Sequence, residues 1–349
     1  MIWLTWRQFR AQILAAAAVL AAAAVYLLIT GTQLRRSYNA DLAACRPHNA
    51  LDSCSDLLGQ LQSDYSGPQY FAEFLVLAAP AVIGIFWGAP LIAGELERGT
   101  RSMVWNQSVS RARWLAVKLT ITALVSVSTA GLLSLLLTWW AGPLDASLGG
   151  RWGTREFNAR DVAPVGYAVF AFALGVALGL LIRRTVPAMA ATLAVFLAVQ
   201  IPVTADLRPD LMPVTTSTVR IDQTTMSQAI RFGRSEAVTG PVYIDLPAPA
   251  GAWILSESPA LDSAGRQIPT SEILGCWSRT LLPDAADKGA AGSMGSLGTC
   301  LTPENLHVDI TYQPADHYWP LQWIETALYT ALAALLAAFC FQRIRRLRG

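Results

Sequence analysis

The chain has 349 residues, 53% of them hydrophobic and 14% charged, with a formal net charge of +2. Soluble globular proteins carry about a quarter charged residues, so an ordinary water-soluble enzyme or binding module is excluded and the apolar excess calls for lipid. Six segments are close to or above the roughly 20 residues that cross hydrocarbon as a helix, and irregular backbone is not tolerated there. The expected fold is an α-helical polytopic membrane protein of six transmembrane helices, with a sizeable α+β domain outside the membrane between the fifth and sixth.

In chain order, residues 1–12 (MIWLTWRQFRAQ) space Trp3, Trp6 and Phe9 helically, with Arg7 and Arg10 between them. The pattern suits an amphipathic helix in the inner interface, and equally the basic flank of a span. The first span, 13–30, runs on past Gly31 without a small-x-small cleavage site, which favours a retained anchor over a signal peptide. Residues 31–70 form a polar outer segment. The second span, 71–93, holds Pro80, Pro90 and the pair Gly84-x-x-x-Gly88. Such prolines kink a helix or open its carbonyls, and small residues four apart permit close helix contact. Glu73, at its outer end, reads as an exposed interfacial residue.

A basic insertion follows, Gly94–Lys118, in which Arg98, Arg101, Arg111, Arg113 and Lys118 face Glu95 and Glu97. Its loop, 94–113, leads to a third span over 114–140 and a short outer loop over 141–162. Spans four and five occupy 163–203 and are joined by a tight turn at Arg183–Pro187; Gly175 and Gly179 again offer close packing. Residues 204–318 form the outer domain, with strand-like runs at Thr215–Ile221, Val242–Leu246 and His307–Tyr312. The sixth span is 319–341 and the tail 342–349. Glu325 lies about 9 Å into that span, with Gln322 one turn away. Buried carboxylates in a membrane face a cavity or a partner, so the pair is either a helix–helix hydrogen bond at the outer rim or a gate position.

Positive residues orient the chain. With both termini in the cytoplasm, the inner side gathers Arg7, Arg10, the five cations of the basic insertion, Arg183, Arg184 and the four arginines of the tail, while Arg35 and Arg36 fall on the wrong side. Cys45 and Cys54 then lie in one outer segment, Cys276 and Cys300 in the other, and Cys340 in the last span. Two outer pairs suit an oxidising exterior; pairing within each segment is the simplest of three connectivities and a cross-link between segments stays open.

The chain contains no G-x-x-x-x-G-K-[ST] and no H-E-x-x-H, and its three histidines make a His-rich metal site improbable. Ala291-Gly292-Ser293-Met294-Gly295 is a loose relative of a nucleophile elbow, but it sits in a Gly/Ser/Ala tract without the strand and helix that motif needs. No catalytic residue and no cofactor of its own are assigned to the chain.

Directly after the second span, Glu95…Gly99-Thr100 resembles the first intracellular loop of ABC-2 type transporter permeases. The remainder of that loop (Arg101–Lys118, RSMVWNQSVSRARWLAVK), the opening TWRQFR (Thr5–Arg10) and the closing TYQPADHYWPLQWIE (Thr311–Glu325) look like actinobacterial members. The resemblance implies a non-enzymatic transport subunit in a bacterial plasma membrane. Its implied partners are a second copy of itself and two cytoplasmic ATP-binding subunits that carry ATP and Mg, with no nucleic acid. It further implies that Glu95, Glu97, Arg98, Gly99, Thr100 and Arg101, supported by Trp6 and Arg7, couple the chain to the ATPase. Spans two and five would line a central path. Region 204–318 matches no domain of known activity and leaves the substrate open. The leading expectation is an exporter permease for an amphiphilic drug, lipid or peptide; the alternative is a membrane sensor with an outer ligand-binding domain.

Overall fold

A computed structural model describes residues 2–45, 51–97, 111–148, 151–222, 225, 231–234, 242–245, 249, 251–269, 271, 275 and 305–346. Among these, six helices are long and apolar enough to cross a membrane, over Ile13–Ala43, Gly59–Glu97, Arg113–Ala146, Ala163–Ile182, Thr185–Asp210 and Ala315–Arg346. Residues 1–211 and 318–349 form one compact unit and Met212–His317 a second.

The helical unit begins with α1 (Ile2–Cys45), 44 residues without a break. The expected interfacial segment is therefore not a separate helix but the first turns of a rod about 66 Å long, roughly twice a hydrocarbon core. Next come α2 (Leu51–Ile83), α3 (Ala89–Glu97), α4 (Arg111–Leu148), the short α5 (Thr154–Ala159), α6 (Ala163–Ile182), α7 (Thr185–Pro202), α8 (Arg208–Asp210) and α9 (Tyr318–Arg346). Much of the region expected as polar outer segment, 31–70, is thus helical. The expected outer loop 141–162 is also largely helical, because α4 runs on to Leu148 and α5 follows.

α6 is the central helix, buried along most of its length and packed against α2, α3, α4, α7 and α9. Glycine makes this possible. A Cβ on Gly175 would sit 2.3 Å from the Gly84 carbonyl oxygen, one on Gly179 2.5 Å from that of Ala89, and one on Gly88 2.6 Å from that of Phe172. The two small-residue patterns of spans two and four therefore meet each other, backbone against backbone.

Two π-helical turns, Gly84–Gly88 and Val203–Leu207, join α2 to α3 and α7 to α8. Each ends on a residue followed by proline, Ala89-Pro90 and Arg208-Pro209, whose amides reach five residues back to Gly84 and Val203. A proline ring clashes with the carbonyl four residues earlier; widening the turn moves that carbonyl aside and shifts the helical face beyond it. The fifth span thus continues through Pro202 to Asp210, and residues 204–211 belong to the bundle rather than to the second unit. Leu14, Val25 and Ile29 on α1 and Val186 and Ile201 on α7 remain exposed, as lipid contact requires.

The second unit carries an antiparallel sheet ordered β1 (Thr215–Arg220), β5 (His307–Gln313), β4 (Trp253–Glu257), and a hairpin of β2 (Arg231–Arg234) with β3 (Val242–Asp245). Val308 and Ile310 of central β5 are fully buried, and Ile221, Ala260 and Leu306 of the same unit are buried as well. The three expected strands are β1, β3 and β5; β2 and β4 were not anticipated. At 262–266 the Asp262 carboxylate accepts the backbone N–H groups of Ala264 and Arg266 at 2.8 and 2.9 Å. These bonds, chiefly that from Arg266, hold its pKa below the usual carboxylate value. The Ser293 tract lies outside the described residues.

Gly175→Leu should disrupt the α6 crossing, and Gly142→Ala, where an added Cβ meets nothing within 4 Å, should not. Overpacking of a fitted contact costs about 1–3 kcal/mol. Thermal unfolding in detergent is expected to show a lowered midpoint for the first variant and an unchanged or slightly raised one for the second.

Candidate functional site

Two groups of polar side chains lie at opposite ends of α6. At its start, a buried layer is built around the segment between α5 and α6. Glu325, second turn of α9, is fully buried and accepts Nε and Nη2 of Arg208 at 2.7 and 2.9 Å, so the pair is bidentate. The Tyr167 hydroxyl donates to the same carboxylate at 2.6 Å, and Arg208 also bonds Asn158 and stacks over Phe157 with its Cζ 4.2 Å from the ring centroid. Gln322 accepts the Ala163 amide at 2.9 Å and donates to the Phe157 carbonyl at 3.1 Å. Ala163 is the first residue of α6, so a side chain from α9 caps that helix.

Asp161 adopts a left-handed backbone, φ 57°, a conformation that Asp tolerates better than most residues. Three bonds hold it there: its carboxylate accepts the Tyr318 hydroxyl at 2.6 Å, its amide donates to Thr138 Oγ1 at 3.1 Å, and its carbonyl accepts Ser134 Oγ at 2.9 Å. Beside it Arg160 pairs with Asp145 and with Glu73, the latter at 3.4 Å. Burial pushes the Arg160 guanidinium down, but Asp145, its hydrogen bond and Glu73 together hold it above its ordinary value. Glu73 is 1% exposed, which corrects its expected interfacial exposure. Taking a carboxylate from water is unfavourable without a partner, and Arg160 and Gln69 supply one.

At the far end, Glu95 at the end of α3 pairs with Lys118 of α4. Glu97 accepts the backbone amide and hydroxyl of Thr185 at 3.0 and 2.6 Å. Thr185 is the first residue of α7, whose N-cap residue makes no side-chain cap of its own, so Glu97 supplies the cap and the favourable negative charge at that terminus. Immediately before, Arg183 closes α6 in a left-handed conformation, φ 60°. The entry to the basic loop is thus fastened twice, to α4 and to the α6–α7 turn. Arg98, Gly99, Thr100 and Arg101 lie outside the described residues, as do the side chains of Trp6 and Arg7 and those of Cys45, Cys54, Cys276 and Cys300. Cys340 is buried and free. No group of three or more His, Cys, Asp or Glu is placed to hold a metal among the described residues.

Sequence reasoning found Glu325 and Gln322 but not their partners Arg208, Asn158, Tyr167 and Phe157, nor Arg160. A usable signal existed at 208: an arginine just past the end of one apolar run, with a single acid, Glu325, inside another.

The sequence model of the family described as ABC-2 membrane transporter related matches residues 17–208, more than half of the chain. The chain belongs to that family. The match runs from α1 to Arg208, taking in the central helix, its glycine crossing and the fastened basic loop. A member of this family is a permease-type transport subunit and a multi-pass membrane protein, not itself an enzyme, and associates with ATP-binding subunits. No curated protein and no solved structure matches the chain.

Removing one side of a buried ion pair is expected to destabilise by about 3–5 kcal/mol, whereas replacing both by apolar residues is often neutral. Arg208→Met and Glu325→Leu should each lower the unfolding midpoint strongly in detergent, and the double variant should recover most of the loss. Additive losses in that cycle would show that the two residues do not act as a pair.

Proposed function

We propose that this chain is the permease subunit of an ATP-driven exporter in a bacterial plasma membrane. It works as a homodimer with two cytoplasmic ATP-binding subunits that hold ATP and Mg, and moves an amphiphilic substrate such as a drug, lipid or peptide. Both termini and the basic loop face the cytoplasm in this reading, consistent with the clustering of cations at 98–118 and in the tail. The 212–317 unit lies outside.

The observation that carries the reading is the double fastening of the basic loop within a chain of this family. Glu95 ties one side of the loop to α4, and Glu97 ties it to the α6–α7 turn. A push on residues 98–110 is therefore delivered to α4, α6 and α7 together rather than absorbed by a loose connection. Trp6 and Arg7, at the start of α1, support the same surface. Glu325 and Gln322 keep the opposite end of α6 closed, a gate position that opens when the Arg208 pair separates.

Glu97→Ala and Gly99→Pro should separate ATP hydrolysis from transport. Coupling energies between sites are typically 1–3 kcal/mol, so transport in proteoliposomes containing the co-purified ATPase is expected to fall about tenfold or more while basal hydrolysis and membrane insertion persist. Wild-type transport in both variants would remove the coupling role.

A further inference from the structure

Between α4, α6 and α9 lies an apolar cleft of about 310 Å³ that the contacts above do not use. Phe172, Ala173 and Cys340 form its buried floor, while Thr120, Thr330 and Ala334 on its lips are exposed. The cleft has a simple cause: alanines stand where larger side chains would fill the gap between the helices. On α9 the lining runs from Thr330 to Phe341, about 16 Å at 1.5 Å per residue and close to half of a hydrocarbon core about 30 Å thick. A groove of that length takes one hydrocarbon chain lengthwise; a second helix, about 10 Å across, could only lie over its lips.

Charge marks one end of the cleft. Arg345 stands one helical turn beyond Phe341 on α9, and Arg113 one turn before Ala116 on α4, both exposed. Trp114 and Leu115 share a buried cluster with Cys340 and Ile344, so the start of α4 lies beside the end of α9 and the two arginines flank the same mouth. At the other end, Ala123 and Thr330 are uncharged. Cations beside an apolar cleft at a membrane surface favour an anionic headgroup.

We propose that this cleft is a binding site for an anionic phospholipid of the surrounding membrane, with one acyl chain between α4, α6 and α9 and the phosphate between Arg113 and Arg345. The lipid belongs to the leaflet on the basic side. It binds as a structural partner that wedges α4 and α9 at a set distance, whatever the chain transports.

The full chain, purified in mild detergent and offered phosphatidylglycerol or phosphatidylcholine, is tested by native mass spectrometry. Each arginine is worth about a fivefold preference for the anionic headgroup, so wild type should retain phosphatidylglycerol about 25-fold better. Arg113→Gln with Arg345→Gln should equalise the two lipids. Ala334→Trp, which obstructs the channel from an exposed lip, should reduce retention of both, and Thr330→Trp at the uncharged end provides a second obstruction should the first lower the unfolding midpoint. Equal retention of the two lipids by wild type overturns the proposal, as does undiminished phosphatidylglycerol on folded Ala334→Trp and Thr330→Trp proteins. A lipid-free wild-type dimer that Ala334→Trp splits into monomers also overturns it, assigning the face to a second copy.

Discussion

The bundle depends on one bidentate ion pair buried away from both water and lipid. Arg208 and Glu325 are 117 residues apart in sequence, yet each is within a turn or two of the point where the chain leaves or re-enters the helical unit. A charged pair at this depth is stable only when its remaining donors and acceptors are satisfied, and Tyr167, Asn158 and the ring of Phe157 supply most of what is needed. The consequence is topological. The whole Met212–His317 unit is inserted in the chain between two residues clasped together within the helical unit.

The clasp and the basic loop are linked by α6. This helix is about 30 Å long, and its packing leaves little freedom: glycines at 175 and 179 let backbone meet backbone on α2 and α3, and Gly166 does the same against Thr326 of α9. Its start is capped by Gln322, and Glu97 caps the helix that follows its end. A rod held at both ends, and packed without side-chain cushions, passes a displacement along rather than dissipating it. That is the physical property a subunit needs if work arrives from a separate motor, and it is why a transport role for the family and the geometry of this chain agree.

Around this tight centre the outer helices are loosely covered. α1 and α7 present exposed aliphatic residues along much of their length, and the cleft between α4 and α9 is lined by alanine. The interior is specified by close fits and paired charges; the exterior is left to lipid and to other chains.

Six apolar spans and three of the five strands among the described residues were legible in the sequence. A backbone in hydrocarbon must satisfy its own hydrogen bonds, so the length of an apolar run is enough to announce a helix, whatever surrounds it. The glycine patterns and the need of Glu325 for a partner were legible for the same local reason. The partner itself was not. Arg208 fell inside the expected outer domain and Glu73 read as an interfacial residue, because their burial depends on how each helix is rotated. That rotation is set by the widened turns ahead of Pro90 and Pro209 and by contacts between segments far apart in the chain. Length and composition by themselves determined that this chain crosses a membrane and roughly where; only the packed bundle decided which polar side chains meet inside it, since pairing is a property of relative rotation and depth and no single segment carries either.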